Sequence, residues 1–258
     1  VTGHVRCEVN DGVATVVLDN PAKRNAMTTD MWNAIPPLLD RLATDPDVRV
    51  VVVTGAGDAF SAGADISTLT GMIPGVPAPA VLAEDALVAF PKPVVAAIRG
   101  WCVGGGCQLS VACDLRIAEE GARFGITPSK IGVVYPAATT ARLVDLVGPA
   151  TAKFLLFTGD FIDAERALRV GLVDELVPAG ELDTRVAELA RTLVSRSQLT
   201  QHAAKELIGA ALAGAPTAER QRHWEEAGRA ELAEGVAAFT ERRAPEFPWK
   251  PAADPALS

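Results

Sequence analysis

With 258 residues, 49% of them hydrophobic and 22% charged, and a formal net charge of −8, the chain is long enough to bury a substantial core, as one large domain or a domain with an appendage. No apolar run approaches the roughly 20 residues of a membrane helix, so no membrane partner is expected. An acidic chain without basic clusters also argues against nucleic acid.

The opening residues, Val1 to Arg6, carry no signal-peptide pattern. Cys7, Cys102, Cys107 and Cys113 fit neither a disulfide framework nor the C-x2-C spacing of zinc sites. Buried reduced thiols, no metal and a cytoplasmic location are the expectation.

In chain order, Asn10-Asp11-Gly12 is a turn signal between Val5–Val9 and Val13–Leu18, which predicts a β-hairpin. Thr28-Thr29-Asp30 offers an N-cap for a helix to about Ala43, and Pro36-Pro37 inside it predicts a kink or a split. Val48–Thr54 reads as a buried strand ending at Gly55-Ala56-Gly57. Residues 67–83 contain Gly71, Pro74, Gly75, Pro77 and Pro79 and read as a mobile loop before a helix near Glu84–Phe90. Val94–Ile98 is a further strand. After it come Gly104-Gly105-Gly106, a helix starting at Gln108, and a strand over Asp114–Ala118. From about Leu182 the pattern is helical, with segments at 184–195, 200–213, 217–231 and 232–243. Strands alternating with helices predict an α/β fold with mainly parallel pairing. The expected division is an α/β core over 1–195 and a helical C-terminal region over 196–258.

The glycine triplet is costly in backbone entropy, so it implies close approach or unusual dihedrals. A glycine turn feeding a helix start offers unpaired N–H groups and the positive end of the helix dipole. A second such turn, Phe60-Ser61-Ala62-Gly63-Ala64-Asp65-Ile66, also follows a buried strand. Two turns of this kind could place two donors on one oxygen, the geometry of an oxyanion hole.

These residues resemble the crotonase, or enoyl-CoA hydratase/isomerase, superfamily over nearly the whole length. The marks, in order, are Asn20–Ala26, Phe60–Ile66, Lys92-Pro93-Val94, Gly104–Cys107, Phe124-Gly125, Thr158-Gly159-Asp160, Ala167–Val173 and Glu234–Arg243. The resemblance implies a spiral of β-β-α turns with a helical trimerisation region, assembled as a homotrimer or a dimer of trimers. It implies an acyl-CoA thioester substrate, with coenzyme A as part of the substrate and no separate cofactor. Residue for residue, Ala64 and Gly105 would supply the two oxyanion donors. Lys23, Arg24, Ala26, Ala62, Asp65 and Ile66 would lie along the coenzyme A portion. Lys23 and Arg24 suit its phosphates, one as a point charge and one as a bidentate fork; for Arg242 and Arg243 the expected role is surface charge.

The chain departs from the family's hydratases at both of their catalytic glutamates. Gln108 stands two residues after the last glycine, in the place of the first. Alignment on Phe124-Gly125 and Ile131-Gly132 puts Pro128 in the place of the second, beside Thr127 and Ser129. An amide can orient water or substrate but cannot exchange a proton near neutral pH. The run Ile126–Tyr135 is similar to the methylmalonyl-CoA decarboxylases of the family, in which a Thr-Pro pair replaces the second acid and a Tyr lies near the substrate carboxylate. Tyr135 is therefore a candidate site residue, and Glu84 a further one, since in some members acids of its region reach the acyl pocket. Three readings follow: a specialised hydratase/isomerase holding water on Gln108, a malonyl-type decarboxylase, or a non-catalytic acyl-CoA-binding protein.

Overall fold

The computed structural model describes residues 3–66 and 78–251. The chain opens with β1 (His4–Asn10) and β2 (Val13–Asp19), paired antiparallel from His4↔Asp19 to Asn10↔Val13. The turn residues Asp11 and Gly12 take φ of 49° and 84°, the positive values that a two-residue hairpin turn demands. Helix α1 (Thr29–Thr44) follows, capped by the Thr28 hydroxyl, which accepts from the Met31 N–H. Strand β3 (Val50–Gly55) then pairs parallel with β2.

Beyond α2 (Pro79–Ala89) the chain falls into a repeating pattern in which consecutive short strands enter different sheets before a helix returns. Strands β4 (Val94–Ile98) and β5 (Trp101–Val103) lead to α3 (Gly105–Val111). Strands β6 (Leu115–Glu119) and β7 (Arg123–Gly125) lead to α4 (Ala137–Thr158). Strand β8 (Ile162–Asp163) leads to α5 (Ala164–Arg169), followed by β9 (Glu175–Val177) and α6 (Leu182–Val194). One sheet has the order β1-β2-β3-β4-β6-β9 and is parallel after its first pair; the other has the order β5-β7-β8. This is the spiral α/β architecture. The chain continues through α7 (Gln198–Leu212), α8 (Ala218–Ala227) and α9 (Arg229–Glu241).

The central strands of the larger sheet are buried on both faces, which explains why β3 and β4 read as unbroken apolar runs. Val51, Val53, Val94 and Ala96 point into the main core with Met31, Trp32, Phe60, Leu109 and Phe124. Val50, Val52, Val95 and Ala97 point the other way, against Leu182, Val186 and Ala190 of α6.

Four local expectations need correction. Helix α1 runs unbroken through Pro36 and Pro37. Its buried face of Trp32, Ile35, Leu38, Leu39 and Leu42 holds the axis through two lost backbone donors. Helix α2 begins at Pro79, five residues before Glu84, because a proline is pre-organised for a first helical turn; residues 67–77 of the expected loop lie outside the described residues. Helix α3 begins at Gly105, so two of the three glycines are helical. Finally, α4 is a helical stretch that the sequence reading does not include; it is kinked at Gly148, whose φ of 73° and ψ of 163° are not helical, just before Pro149.

Among the described residues no helix is long and apolar enough to cross a membrane. Asp114, at the start of β6, accepts from the Val94 N–H at 2.7 Å and from Lys205 Nζ of α7 at 2.7 Å. Asp114→Ala is expected to cost about 1.5–3 kcal/mol in denaturant unfolding, since both bonds are to a charged acceptor. Asp114→Asn, which keeps an acceptor for Val94, should cost less.

Candidate active site

The site is assembled where two chain reversals are stitched to the same strand end. The Ser61 N–H donates to Trp101 O at 2.8 Å, and the Val103 N–H returns to Ser61 O at 2.9 Å, so the 61–66 turn is held beside β5 and the start of α3. Its other edge is tied by Met27 N–H to Gly63 O (2.7 Å) and Asp65 N–H to Met27 O (2.8 Å). Beneath it sits Asn25, fully buried with φ 57°. Its side-chain amide donates to Ala56 O (2.9 Å) and Ala59 O (2.7 Å), while its Oδ1 accepts from the Asn20 N–H. The Asn20–Ala26 motif is thus also the scaffold of the turn.

Glycines let the two reversals touch. A methyl group on Gly106 would sit 2.6 Å from the Ser61 Cβ. One on Gly63, whose φ is +94°, would lie 2.7 Å from Val103 O and 3.3 Å from the Gly105 nitrogen. One on Gly105 would lie 3.7 Å from the Ala64 nitrogen. The backbone nitrogens of Ala64 and Gly105 therefore lie close together, and among the described residues neither donates to another group. The first α3 donor that is satisfied is Gln108, to Gly104 O at 3.1 Å.

The other sequence-flagged residues gather around this pair. Lys23 Nζ meets Asp65 Oδ2 at 2.7 Å, and the Lys23 side chain is still 60% exposed. The Arg24 guanidinium lies 5.4 Å from the centre of the Trp101 ring, and its carbonyl accepts from the Ala62 N–H at 2.8 Å. The Ala26 carbonyl accepts from Asn20 Nδ2, and Ile66 is exposed at the end of the turn. Arg243 is engaged with Glu234 and Glu241, away from these residues.

On the α3 side, Gln108 is buried, and among the described residues its Nε2 and Oε1 have no hydrogen-bond partner. The Thr127 Oγ1 and the Tyr135 hydroxyl both lie 3.9 Å from the position of a methyl group on Gly104. They reach the turn from either end of the segment that includes the buried Pro128. Burial pushes the Tyr135 hydroxyl pKa up, with Cys107 and Glu84 adding to the shift, so this tyrosine is a neutral donor. Neither α3 nor residues 122–143 contain a carboxylate.

The carboxylate that the fold does bury here is Glu84, on α2. Its Oε2 accepts from Thr139 Oγ1 at 2.7 Å and from Arg142 Nη1 at 3.2 Å. Arg142 also pairs with Asp85. Burial pushes the Glu84 carboxyl up to about 7, against the Thr139 and Arg142 bonds that pull it down. Thr139 and Arg142 had no motif to announce them. The available signal was their i, i+3 spacing, which puts both on one face of α4. Among the described residues no cluster of His, Cys, Asp and Glu is arranged to hold a metal.

With this geometry in place, the comparisons with known proteins are direct. The enoyl-CoA hydratase/isomerase family model matches residues 8–250. A solved enoyl-CoA hydratase/isomerase family member superposes with a TM-score of 0.89 at 40% identity, covering 98% of this chain and 99% of that one. A crotonyl-CoA hydratase of Syntrophomonas wolfei is 33% identical over 93% of this chain and 96% of its own length. A hydroxycinnamoyl-CoA hydratase-lyase of Pseudomonas fluorescens is 34% identical over 78% of this chain and 76% of its own. The chain belongs to the enoyl-CoA hydratase/isomerase family and is an enzyme of that crotonase-fold group.

Two outcomes test this geometry. Gly63→Ala forces a side chain onto positive φ against Val103 O, and is expected to lower unfolding free energy by more than about 1 kcal/mol. The second concerns Glu84. Its folded pKa is raised above the 4.5 of an ordinary glutamate to about 7, so the folded state binds more protons across that interval. Its contribution is complete below about 4.5 and is lost as pH rises to about 7, a few kcal/mol at about 1.4 kcal/mol per unit. Urea unfolding across this range should show that slope, and Glu84→Gln should flatten it.

Proposed function

We propose that this enzyme binds an acyl-CoA thioester, seats its carbonyl oxygen between the N–H groups of Ala64 and Gly105, and stabilises the enolate that forms there. The observation that carries this reading is the pair of adjacent, unspent backbone donors. Donors fixed in advance need no reorganisation as charge develops, and losing one typically costs about 2.7–4 kcal/mol of transition-state stabilisation. Coenzyme A enters as part of the substrate, and the reading requires no further cofactor. Lys23 and Arg24 stand at the exposed end of the same turn and suit the coenzyme A phosphates, with Ala26, Ala62, Asp65 and Ile66 lining the approach. Exposed apolar side chains on α7 and α9, such as Ile208, Leu212, Leu232 and Phe239, suit burial in a homotrimer or a dimer of trimers. The division at residue 195, with helices beyond it serving assembly, belongs to the same reading.

Two-glutamate hydration does not fit this site. Gln108 can orient water or a substrate oxygen, but it cannot exchange a proton. The Tyr135 hydroxyl and Thr127 beside Gly104 favour a second reaction on the same enolate, the decarboxylation of a malonyl-type ester. That step breaks the Cα–carboxylate bond and leaves its electron pair on the thioester. It needs an oxyanion hole, a donor to orient the departing carboxylate and a proton for the α-carbon, and no base to remove a C–H proton.

Side-by-side assays of crotonyl-CoA hydration and methylmalonyl-CoA decarboxylation test the reading. Decarboxylation is expected to exceed hydration. Tyr135→Phe should slow it roughly 10- to 150-fold, the worth of about 1.5–3 kcal/mol for a hydrogen bond to a charged group. Crotonyl-CoA hydration near ~10³ s⁻¹, the upper end of typical enzymes, would contradict the mechanism. Tight acyl-CoA binding with no turnover of any thioester would mark a non-catalytic carrier instead.

A further inference from the structure

Glu84 has the features of a working acid–base group and not of a structural ion pair. It sits on α2, outside the segments where this family's hydratases carry their glutamates, yet its carboxylate is 96% buried beside the Tyr135 end of the site. Both of its hydrogen bonds, from Thr139 Oγ1 and Arg142 Nη1, go to Oε2. Among the described residues Oε1 accepts none, so one oxygen is anchored and the other is left for a partner. A carboxylate kept only to bind Arg142 would be expected to meet the guanidinium fork with two oxygens. Here Arg142 divides its two nitrogens between Glu84 and Asp85. The charged and titratable groups facing Glu84 are Arg142 from α4, Asp85 from its own helix and Tyr135 from the segment before α4; Cys107 of α3 faces Tyr135. Helix α1, which packs against α2, contributes no charge to its surroundings.

Resting on the acyl-CoA reading, we infer that Glu84 is the proton-exchanging residue of this site, delivering a proton from Oε1 to the α-carbon of the thioester enolate. In that step the Oε1–H bond breaks and a Cα–H bond forms. The electron pair that had been delocalised onto the thioester oxygen at Ala64 and Gly105 enters the new bond, leaving a Glu84 carboxylate opposite Arg142. Run backwards, the carboxylate removes an α-proton and regenerates the enolate. Thr139 and Arg142 are positioning residues, fixing Oε2 so that Oε1 keeps one orientation. A group that holds its proton until near neutrality is suited to both directions.

The test is exchange of the α-protons of butyryl-CoA in D2O, followed by mass spectrometry on the full-length protein, with butyryl-CoA binding measured in parallel. Wild-type protein is expected to bind the ester and exchange. Glu84→Gln should bind it equally well and exchange at least ~100-fold more slowly, the lower range for loss of a general acid–base group. The wild-type exchange rate should rise with pH as Glu84 ionises. Thr139→Val removes a bond that favours the carboxylate, so it should move that midpoint to higher pH, a change that a merely structural role would not produce. Wild-type exchange by Glu84→Gln, an unmoved midpoint in Thr139→Val, or binding without exchange in the wild type would overturn the assignment. Failure of the wild type to bind butyryl-CoA would instead overturn the acyl-CoA reading on which it rests.

Discussion

The contact between the 61–66 turn and the Gly104–Gly106 turn is the constraint on which the rest of this structure depends. Two reciprocal backbone bonds join Ser61 to Trp101 and Val103. The absence of Cβ atoms at Gly63, Gly105 and Gly106 allows the two reversals to meet without a side chain between them. The first turn follows β3, a central strand buried on both faces, and the second follows β5, whose buried Cys102 is paired with the buried Phe124 of β7. The site therefore inherits its geometry from the sheet, and its two donors are backbone atoms that no side-chain rotamer can move. The buried Asn25 supports the approach to the first turn by satisfying the Ala56 and Ala59 carbonyls, and the Gly104 N–H ties the second turn to Gly125 O of β7 at 2.8 Å.

Around this fixed centre the polar groups are unevenly provided for. Asn25 is fully engaged at both ends of its side-chain amide, as buried polar groups normally are, whereas among the described residues the Gln108 amide has no partner on either atom. An unsatisfied buried polar group costs about 1–3 kcal/mol, and a purely structural role would be better served by an apolar residue of similar shape. On the proposed reading, the partner of the Gln108 amide arrives with the substrate. Glu84 is half-satisfied in the same sense, with one oxygen anchored and one open. On the proposed reading these two residues would divide the tasks that a pair of glutamates otherwise shares: orientation at Gln108 and proton exchange at Glu84.

Much of the fold is legible in the sequence. The hairpin can be read from Asn10-Asp11-Gly12, the parallel core from the Val50–Val53 run, and the close approach of two turns from their glycines, while Ala64 and Gly105 as donors come from the family resemblance. Local chemistry was sufficient in those places because the backbone needs those residue types there and nowhere else. The α1 prolines misled, since their penalty is local whereas the buried face that overrides it is tertiary. Helix α4 is interrupted in fact at Gly148, just before Pro149, and no motif marks the helical stretches on either side. The Glu84–Thr139–Arg142 arrangement was the least legible. Its members lie 55 and 58 residues apart, and only the packing of α2 near α4 gives Glu84 its anchored oxygen and its raised proton affinity.

The central claim is that the Ala64 and Gly105 N–H groups polarise a thioester carbonyl. Isotope-edited infrared difference spectroscopy of bound acetyl-CoA, labelled with carbon-13 at the thioester carbonyl, measures that polarisation at the bond concerned. The account predicts a carbonyl stretch at lower frequency than the same ester shows in water, because two aligned donors in a water-poor site withdraw more electron density than solvent does. A bound carbonyl at or above its frequency in water would contradict it.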